Sequence, residues 1–273
     1  MTPDELQALW ELLVKPDVFR KIESVENPVT IFLGGQPGAG KTQGKNYALA
    51  QYPPDTVAEI IGDDFRRHHP DYEYLITHEP LKMPDATAPA SGTWVGMCVE
   101  YAEANRISFL VEGTWRNAAT VLDTARRAKE LGRQTHAVVL AVPPLVSLAG
   151  IAERFYRDML RGFPARWTPP TAHDVTVDSL VQNIGEIVGA MFRGEPMIDR
   201  FTVTNRSGEI LYDGAACADA VDIFQEHFER PLTLSEQKIV RDTLAICEQG
   251  HMRFTAGDVS AADVLNRLRQ GIG

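Results

Sequence analysis

Pro28-Val29-Thr30-Ile31-Phe32-Leu33-Gly34-Gly35-Gln36-Pro37-Gly38-Ala39-Gly40-Lys41-Thr42 decides how this chain folds. Its first residues are apolar or β-branched and read as a buried strand that runs directly into Gly34-Gly35. Gly35 to Thr42 then satisfies G-x-x-x-x-G-K-[ST], placed as the mechanism requires, after a strand and before a helix. The glycines let backbone N–H groups curl around phosphate oxygens, and the helix N-terminus adds the positive end of its dipole. Gly35, Gln36, Pro37, Gly38, Ala39, Gly40, Lys41 and Thr42 are therefore the expected nucleotide cradle. Lys41 reaches the β- and γ-phosphates of ATP, and Thr42 is the candidate ligand for Mg²⁺.

Outward from this loop, three more apolar runs, Thr56–Ile61, Ile107–Val111 and Ala137–Val142, alternate with candidate helices. That alternation predicts an α/β fold, a P-loop kinase core whose mostly parallel sheet is flanked by helices, with a helical C-terminal extension. The expected organisation is an N-terminal helical segment over 1–27, a core over 28–213, and an extension over 214–273 packed on it. Leu6, Leu9, Trp10, Leu13, Val14 and Phe19 give the first segment its helical spacing. Pro80–Gly92, rich in Pro, Ala, Thr and Ser, reads as a loop or lid entrance, followed by a helix from about Thr93 to Asn105. Gly162–His173 contains three prolines and reads as a second functional loop. Helical periodicity returns from Val175 to Phe192. Asn205-Arg206-Ser207-Gly208 between Arg200–Thr204 and Glu209–Tyr212 signals a hairpin at the sheet edge. Residues 216–270 read as amphipathic helices, with Ser235 and Lys238 giving only a poor capping signal.

Composition narrows the class. The chain has 273 residues, 44% hydrophobic, 23% charged and 8% aromatic, all ordinary for a packed globular protein. Lysine and arginine total 27 against 37 acids, a net charge of -10. Such a surface repels a nucleic-acid backbone or an anionic membrane, so neither is an expected partner. No basic leader precedes an apolar stretch and no apolar run approaches a bilayer span, which predicts a cytoplasmic protein. Cys98, Cys217 and Cys247 form no metal or disulfide spacing and are expected to be small buried hydrophobes.

A P-loop alone does not choose an activity. No asparagine is followed by lysine, so the N-K-x-D element of switch GTPases is missing. Arg154, Arg157, Arg161 and Arg166 crowd a short segment that contains no lysine. Guanidinium forks suit a phosphoryl group in transit, which points to a small-molecule kinase. Such an enzyme needs a carboxylate at the C-terminal end of a neighbouring strand to accept the hydroxyl proton. Asp63 and Asp64 follow the Thr56–Ile61 strand; one should face the nucleotide and the other cap a helix. Glu112 ends the third strand in the same manner, with Thr114 and Arg116 beyond it. Trp115 between them fits either stacking on a base or sugar or buried packing.

In order along residues 28–213, these blocks resemble the zeta toxins of bacterial toxin–antitoxin systems, known as UDP-N-acetylglucosamine kinases. The resemblance rests on the P-loop, on Asp63-Asp64-Phe65-Arg66-Arg67-His68-His69-Pro70 (similar to D-x-F-[KR]-x-x-H-P) and on Glu112-Gly113-Thr114-Trp115-Arg116 (similar to E-G-T-x-R). It continues through Arg154, Ala165-Arg166-Trp167-Thr168-Pro169, Ala172-His173-Asp174 and the hairpin ending at Tyr212. It implies that Asp63 is the base for the sugar 3′-hydroxyl, and that Lys41, Arg154 and Arg166 neutralise the γ-phosphoryl. Thr42 would then hold Mg²⁺, and Glu112, Thr114 and Arg116 would contact the nucleotide-sugar acceptor. It implies ATP as phosphoryl donor and a helical antitoxin protein as a possible partner. His69 and His173 look structural on the same grounds. Gly96 stands where the toxins place a substrate-contacting glutamate, with Thr93 and Trp94 also different. A kinase acting on NAD or another nucleotide metabolite therefore stays open, as does, in a different class, a nucleotide-dependent protein-binding switch.

Overall fold

A computed structural model describes residues 1–192 and 197–272. The stretch before the P-loop forms β1 (Val29–Gly34), buried along its whole length as a central parallel strand must be. Ahead of it lie α1 (Pro3–Leu9), a π-turn over Trp10–Val14, and α2 (Lys15–Phe19). The chain continues through α3 (Lys41–Leu49), β2 (Val57–Ile60), α4 (Gly62–Phe65), a 3₁₀ turn over Arg66–His68, α5 (Tyr72–His78) and α6 (Met83–Ala104). Then come β3 (Ser108–Glu112), α7 (Ala118–Glu130), β4 (Gln134–Leu140), α8 (Pro144–Leu160) and α9 (Pro170–Phe192). The hairpin β5 (Arg200–Thr204) and β6 (Ile210–Gly214) is followed by α10 (Ala218–Glu229), α11 (Leu234–Gly250) and α12 (Val259–Gln270).

The six strands form one sheet in the order β2-β3-β1-β4-β5-β6. All neighbours are parallel except β5 and β6. From β1 the chain first winds outward to β2, then returns by β3 and passes β1 to reach β4. That reversal opens a crevice at the C-terminal ends of β1, β3 and β4, where open α/β sheets bind ligands.

Helices cover both faces. Ala48 of α3 joins Ile31, Leu33, Leu110, Val138 and Leu140 on one. Val121 of α7, Leu180 and Ile184 of α9, and Phe224 of α10 meet Phe32 and Phe201 on the other. The N-terminal helices and α6 cover the β2–β3 edge through Trp10, Phe19, Trp94 and Phe109. Trp94, fully buried, donates from Nε1 to the Leu6 carbonyl at 3.1 Å, so its polar atom is satisfied. The last two helices pack on α8 around Phe155, Tyr156, Trp167, Val240 and Leu265. No helix of the described residues is long and apolar enough to cross a membrane.

Four local expectations are corrected. Residues 83–92 are helix, not loop, and α6 begins ten residues before the expected Thr93. Pro84 occupies its first turn, where a missing N–H costs nothing, and Ala86, Ala88 and Ala90 are strong helix formers. The second irregular stretch ends at Pro169, because Pro170 opens α9 and draws His173 into it. The cap of α11 is Thr233, whose hydroxyl accepts from Glu236 N while the Glu236 carboxylate accepts from Thr233 N. That capping box was present in the sequence two residues before Ser235. Cys98 and Cys247 are buried, but Cys217 is half-exposed and its Sγ lies 3.0 Å from the Tyr212 hydroxyl.

Candidate active site

The P-loop is held from outside by close backbone approach. Gly38 and Gly40 have φ of 79° and 85°, in the left-handed region. A Cβ on Gly38 would lie 2.1 Å from the Ser147 carbonyl oxygen, and one on Gly150 would lie 2.7 Å from the Gly38 carbonyl. α8 thus meets the loop glycine against glycine. Gln36 is fully buried and donates from Nε2 to Val142 O at 2.6 Å and to Ser147 Oγ at 3.2 Å. Ser147 Oγ lies 2.8 Å from His173 Nε2, and His173 Nδ1 lies 3.2 Å from Asp174 Oδ1. Arg267 of α12 donates to both Asp174 oxygens, at 2.9 and 2.7 Å. Polar contacts therefore run unbroken from the loop to the last helix. Burial pushes the His173 imidazole below its ordinary pKa, so it is neutral at pH 7. Ser147 and His173 are buried, so this serine and histidine brace the loop and have no access to a substrate.

Two further groups brace the same loop. The Arg206 guanidinium, carried by the β5–β6 turn, donates to the Gly38 carbonyl. Trp115 is buried, with φ of 55°, and its ring lies where a Cβ on Gly34 would come within 2.3 Å. Its carbonyl accepts from Asn183 Nδ2 at 2.8 Å. Of the two roles open to Trp115, the structure shows packing.

Inside the crevice, Lys41 Nζ donates to the Gly35 and Gln36 carbonyls at 3.0 and 3.4 Å and lies 3.6 Å from Glu112 Oε1. Thr42, next on α3, is exposed. Asp63 lies in α4, just after β2. Its Oδ1 accepts from Arg66 Nε at 2.9 Å, and its Oδ2 lies 2.7 Å from Arg166 Nη1. Burial pushes the Asp63 carboxyl up, but the charges of Arg166, Arg66 and Lys41 outweigh it and hold it below the usual carboxylate range. Arg154 Nη2 donates to Thr168 Oγ1 at 3.0 Å. Surrounding protein and the adjacent Arg166 charge push its guanidinium down to about 10, still charged at pH 7. Lys41, Arg66, Arg154 and Arg166 thus gather around Asp63 and Glu112, with Asp158 and Asp64 farther out. This is a local positive field in a molecule of net charge -10, suited to an anionic ligand.

Lys41, Asp63, Glu112, Arg154 and Arg166 are brought together. Thr114 is half-buried beyond β3, and Arg116 is exposed with no ion-pair partner among the described residues. Arg157 pairs with Glu153 along α8 and Arg161 is exposed at its end, and among the described residues neither is ion-paired with Asp63 or Glu112. Asp64 caps nothing: α4 starts at Gly62 after Ile61, which puts Asp64 within the first turn. Its carboxylate lines a separate groove with Asp17, Glu59 and Arg67, where burial raises its pKa. His69 Nδ1 accepts from Asp71 N at 3.2 Å, a local turn contact.

Three contributors escaped the sequence reading. Arg66 sits three residues after Asp63, a spacing that puts both on one side of a helical turn. Ser147 and Arg206 carried no signal, being 111 residues from Gln36 and 168 from Gly38.

The zeta toxin family profile matches residues 16–216. The chain belongs to the zeta toxin family. A zeta toxin of Enterococcus hirae is 31% identical over 164 residues, covering 59% of this chain and 57% of that protein. The chain thus spans little more than half the length of that relative. The toxin PezT of Streptococcus pneumoniae serotype 4 is 28% identical over 206 residues, 75% of this chain and 79% of that one. A solved structure from the PezAT chromosomal toxin–antitoxin system of S. pneumoniae superposes with a TM-score of 0.74 at 22% identity, covering 93% of this chain and 98% of that one. The P-loop, Asp63, Glu112, Arg154 and Arg166 all lie inside the matched zeta toxin region.

Proposed function

We propose that this chain is an ATP-dependent kinase that transfers the γ-phosphoryl to a hydroxyl of UDP-N-acetylglucosamine or a related nucleotide sugar, at the sugar 3′ position. The observation that carries this reading is Asp63, ionised and open to solvent in a crevice whose other charges are chiefly those of Lys41, Arg154 and Arg166. Asp63 orients the acceptor hydroxyl and takes its proton. Lys41, Arg154 and Arg166 neutralise the phosphoryl oxygens, and Gly35 to Thr42 wrap the triphosphate. Glu112, Thr114 and Arg116 lie on the acceptor side.

The hydroxyl of Thr42 and the carboxylate of Glu112 are hard oxygen donors. Among the described residues no three or more acidic, histidine or cysteine side chains gather as a metal site. That donor set fits Mg²⁺, which in such enzymes is held by one or two protein oxygens together with substrate phosphates. When bound, Mg²⁺ neutralises charge on the phosphates.

The proposal extends to the setting: a cytoplasmic enzyme with its kinase core in residues 28–213, restrained by a helical antitoxin protein. The relationship to proteins named as toxins, one from a toxin–antitoxin system, supports that partner. A second reading of the acceptor rests on Gly96, where an added Cβ would meet nothing within 4 Å. Space at that point favours a different acceptor, NAD or another nucleotide metabolite, on the same machinery.

The test is incubation with Mg-ATP and a panel of UDP-sugars, NAD and nucleosides, followed by mass spectrometry. A phosphoryl gain on UDP-N-acetylglucosamine supports the first reading, and a gain on another panel member the second. Asp63→Asn keeps nucleotide binding and lowers turnover by ~10²–10⁴. Unchanged turnover in that variant rejects Asp63 as the base, and nucleotide-controlled binding of a protein with no acceptor phosphorylated replaces the kinase with a switch.

A further inference from the structure

Both oxygens of Asp63 are engaged by guanidinium groups, yet a base needs one oxygen free. The two arginines differ in how firmly they are tethered. Arg66 donates from Nη1 to Pro84 O at 2.5 Å and to Thr87 Oγ1 at 2.7 Å, besides holding Asp63 Oδ1 through Nε. Thr87 is fully buried and in turn donates to Met83 O at 2.8 Å. Displacing Arg66 would break both of these contacts between the turn after α4 and the start of α6. Arg166 has no such anchor. Asp63 is its one ion-pair partner among the described residues, and it belongs to the irregular stretch between α8 and α9. Buried Ala165 and Trp167 fix the backbone on either side of it, while its own side chain is half-buried at the crevice. Beside it, the Arg154 charge repels it.

We propose that Arg66 is the positioning residue of Asp63, and that Oδ2, the oxygen Arg166 covers in this structure, is the atom that receives the acceptor's proton once Arg166 turns to the phosphoryl group. This rests on the reading of Asp63 as the base. A triphosphate seated on the P-loop brings anionic oxygens beside Lys41 and Arg154, and Arg166 exchanges one carboxylate for them, as a guanidinium fork readily does. Oδ2 is then free, while Oδ1 stays on Arg66 and fixes the carboxylate plane. The acceptor hydroxyl gives its proton to Oδ2 as its oxygen bonds to the γ-phosphorus. The bond from that phosphorus to the β–γ bridging oxygen breaks, and ADP leaves with the electron pair. Nucleotide therefore binds before the acceptor can find a free base.

Charged groups facing Asp63 are Arg166, Arg66, Lys41 and Arg154, with Asp64 its neighbour in α4. Removing the Arg166 contact relieves one of the charges that hold the Asp63 carboxyl down, so the carboxyl titrates at higher pH and becomes the stronger base. The experiment labels the full chain with carboxyl-¹³C aspartate, assigns Asp63 by the signal lost in Asp63→Asn, and titrates it by NMR with and without saturating Mg-AMPPNP, its binding confirmed by ³¹P signals. In the wild type the nucleotide analogue raises the pH at which Asp63 titrates. Arg166→Gln raises it already in the free protein and removes most of the nucleotide effect. Arg66→Gln also raises it but keeps the nucleotide effect, and Arg66→Lys restores the low titration.

An equal nucleotide effect in wild type and Arg166→Gln would mean that only the phosphate field acts, which overturns the exchange. No rise in the wild type does the same. An unmoved Asp63 titration in folded Arg66→Gln reduces Arg66 to a structural residue. If Arg66→Gln does not fold, Arg166→Gln still decides the exchange and Arg66→Lys still tests the positioning. None of these readouts requires turnover, so a failure of the kinase reading shows separately, as absence of any phosphorylated acceptor.

Discussion

The two sides of the crevice are built on opposite terms. On the phosphate side the loop is packed from outside: Ser147 and Gly150 of α8 lie against Gly38, Arg206 donates to its carbonyl, and Trp115 fills the space over Gly34. On the side we propose for the acceptor, Arg116 is exposed, and on α6 Gly92 and Gly96 are exposed with nothing within 4 Å of an added Cβ. A triphosphate has one shape and tolerates a rigid mould. An acceptor must be admitted, oriented and released, and the proposed exchange at Asp63 gives its side charges and hydrogen bonds that can be remade. The comparison predicts that steric changes damage the first side, and that charge changes govern the second.

The largest effect is expected from Gly38→Ala. At φ of 79° with a carbonyl oxygen 2.1 Å from the new Cβ, the loop must shift away from α8. Nucleotide binding by calorimetry should be lost and stability should fall by on the order of 3 kcal/mol. A variant that still binds Mg-ATP with wild-type affinity would show the loop to be less tightly moulded than these contacts require.

Acid should destabilise the sheet beneath the crevice while leaving Asp63 ionised. His136 of β4 is buried with Nε2 2.9 Å from Thr202 Oγ1. Burial and the nearby Arg200 charge push its pKa down from 6.5 to about 4. Between those values the unfolded chain binds a proton that the folded protein does not, so stability falls as pH drops through that window, by about 3 kcal/mol in all. Urea midpoints measured from pH 7 to 4 should show this slope, and His136→Gln should flatten it. An identical slope in the variant would assign the loss to other groups.

Ser147→Ala comes next. It removes the hydroxyl shared by Gln36 and His173, leaving buried polar atoms unpaired at a cost of about 1–3 kcal/mol. Urea unfolding would measure it, and a weaker affinity for nucleotide than the wild type's would trace the loss to the loop. Unchanged affinity would mean that the α12 to P-loop contacts stabilise the fold alone.

What the sequence made legible follows from range. β1 and its loop, the apolar strands and the Asp63 and Glu112 strand ends could be read because each signal lies within a few residues. α6 was misread because three prolines in Pro80–Gly92 outweighed its alanines, although Pro84 occupies a position where proline is harmless. Trp115 could not be decided between stacking and packing because its partner, Gly34, belongs to a different strand. Two braces of the loop were invisible for the same reason: Ser147 and Arg206 reach it only after the sheet has closed, whereas His173 was legible as structural though its partner was not.

The smallest effect belongs to the open side and tests it most directly. Gly96 lies in the interior of a helix with free space around it, so Gly96→Ala should stabilise the protein by about 1 kcal/mol through helix propensity alone. A stability loss would mean that something packs on this face in solution. Gly96→Glu carries the same logic into specificity, since the resemblance places a substrate-contacting glutamate at this position in zeta toxins. A lower KM for UDP-N-acetylglucosamine in that variant, at unchanged KM for ATP, would show that the missing carboxylate had been limiting recognition of that acceptor. An unchanged KM would instead favour an acceptor that makes use of the space Gly96 leaves.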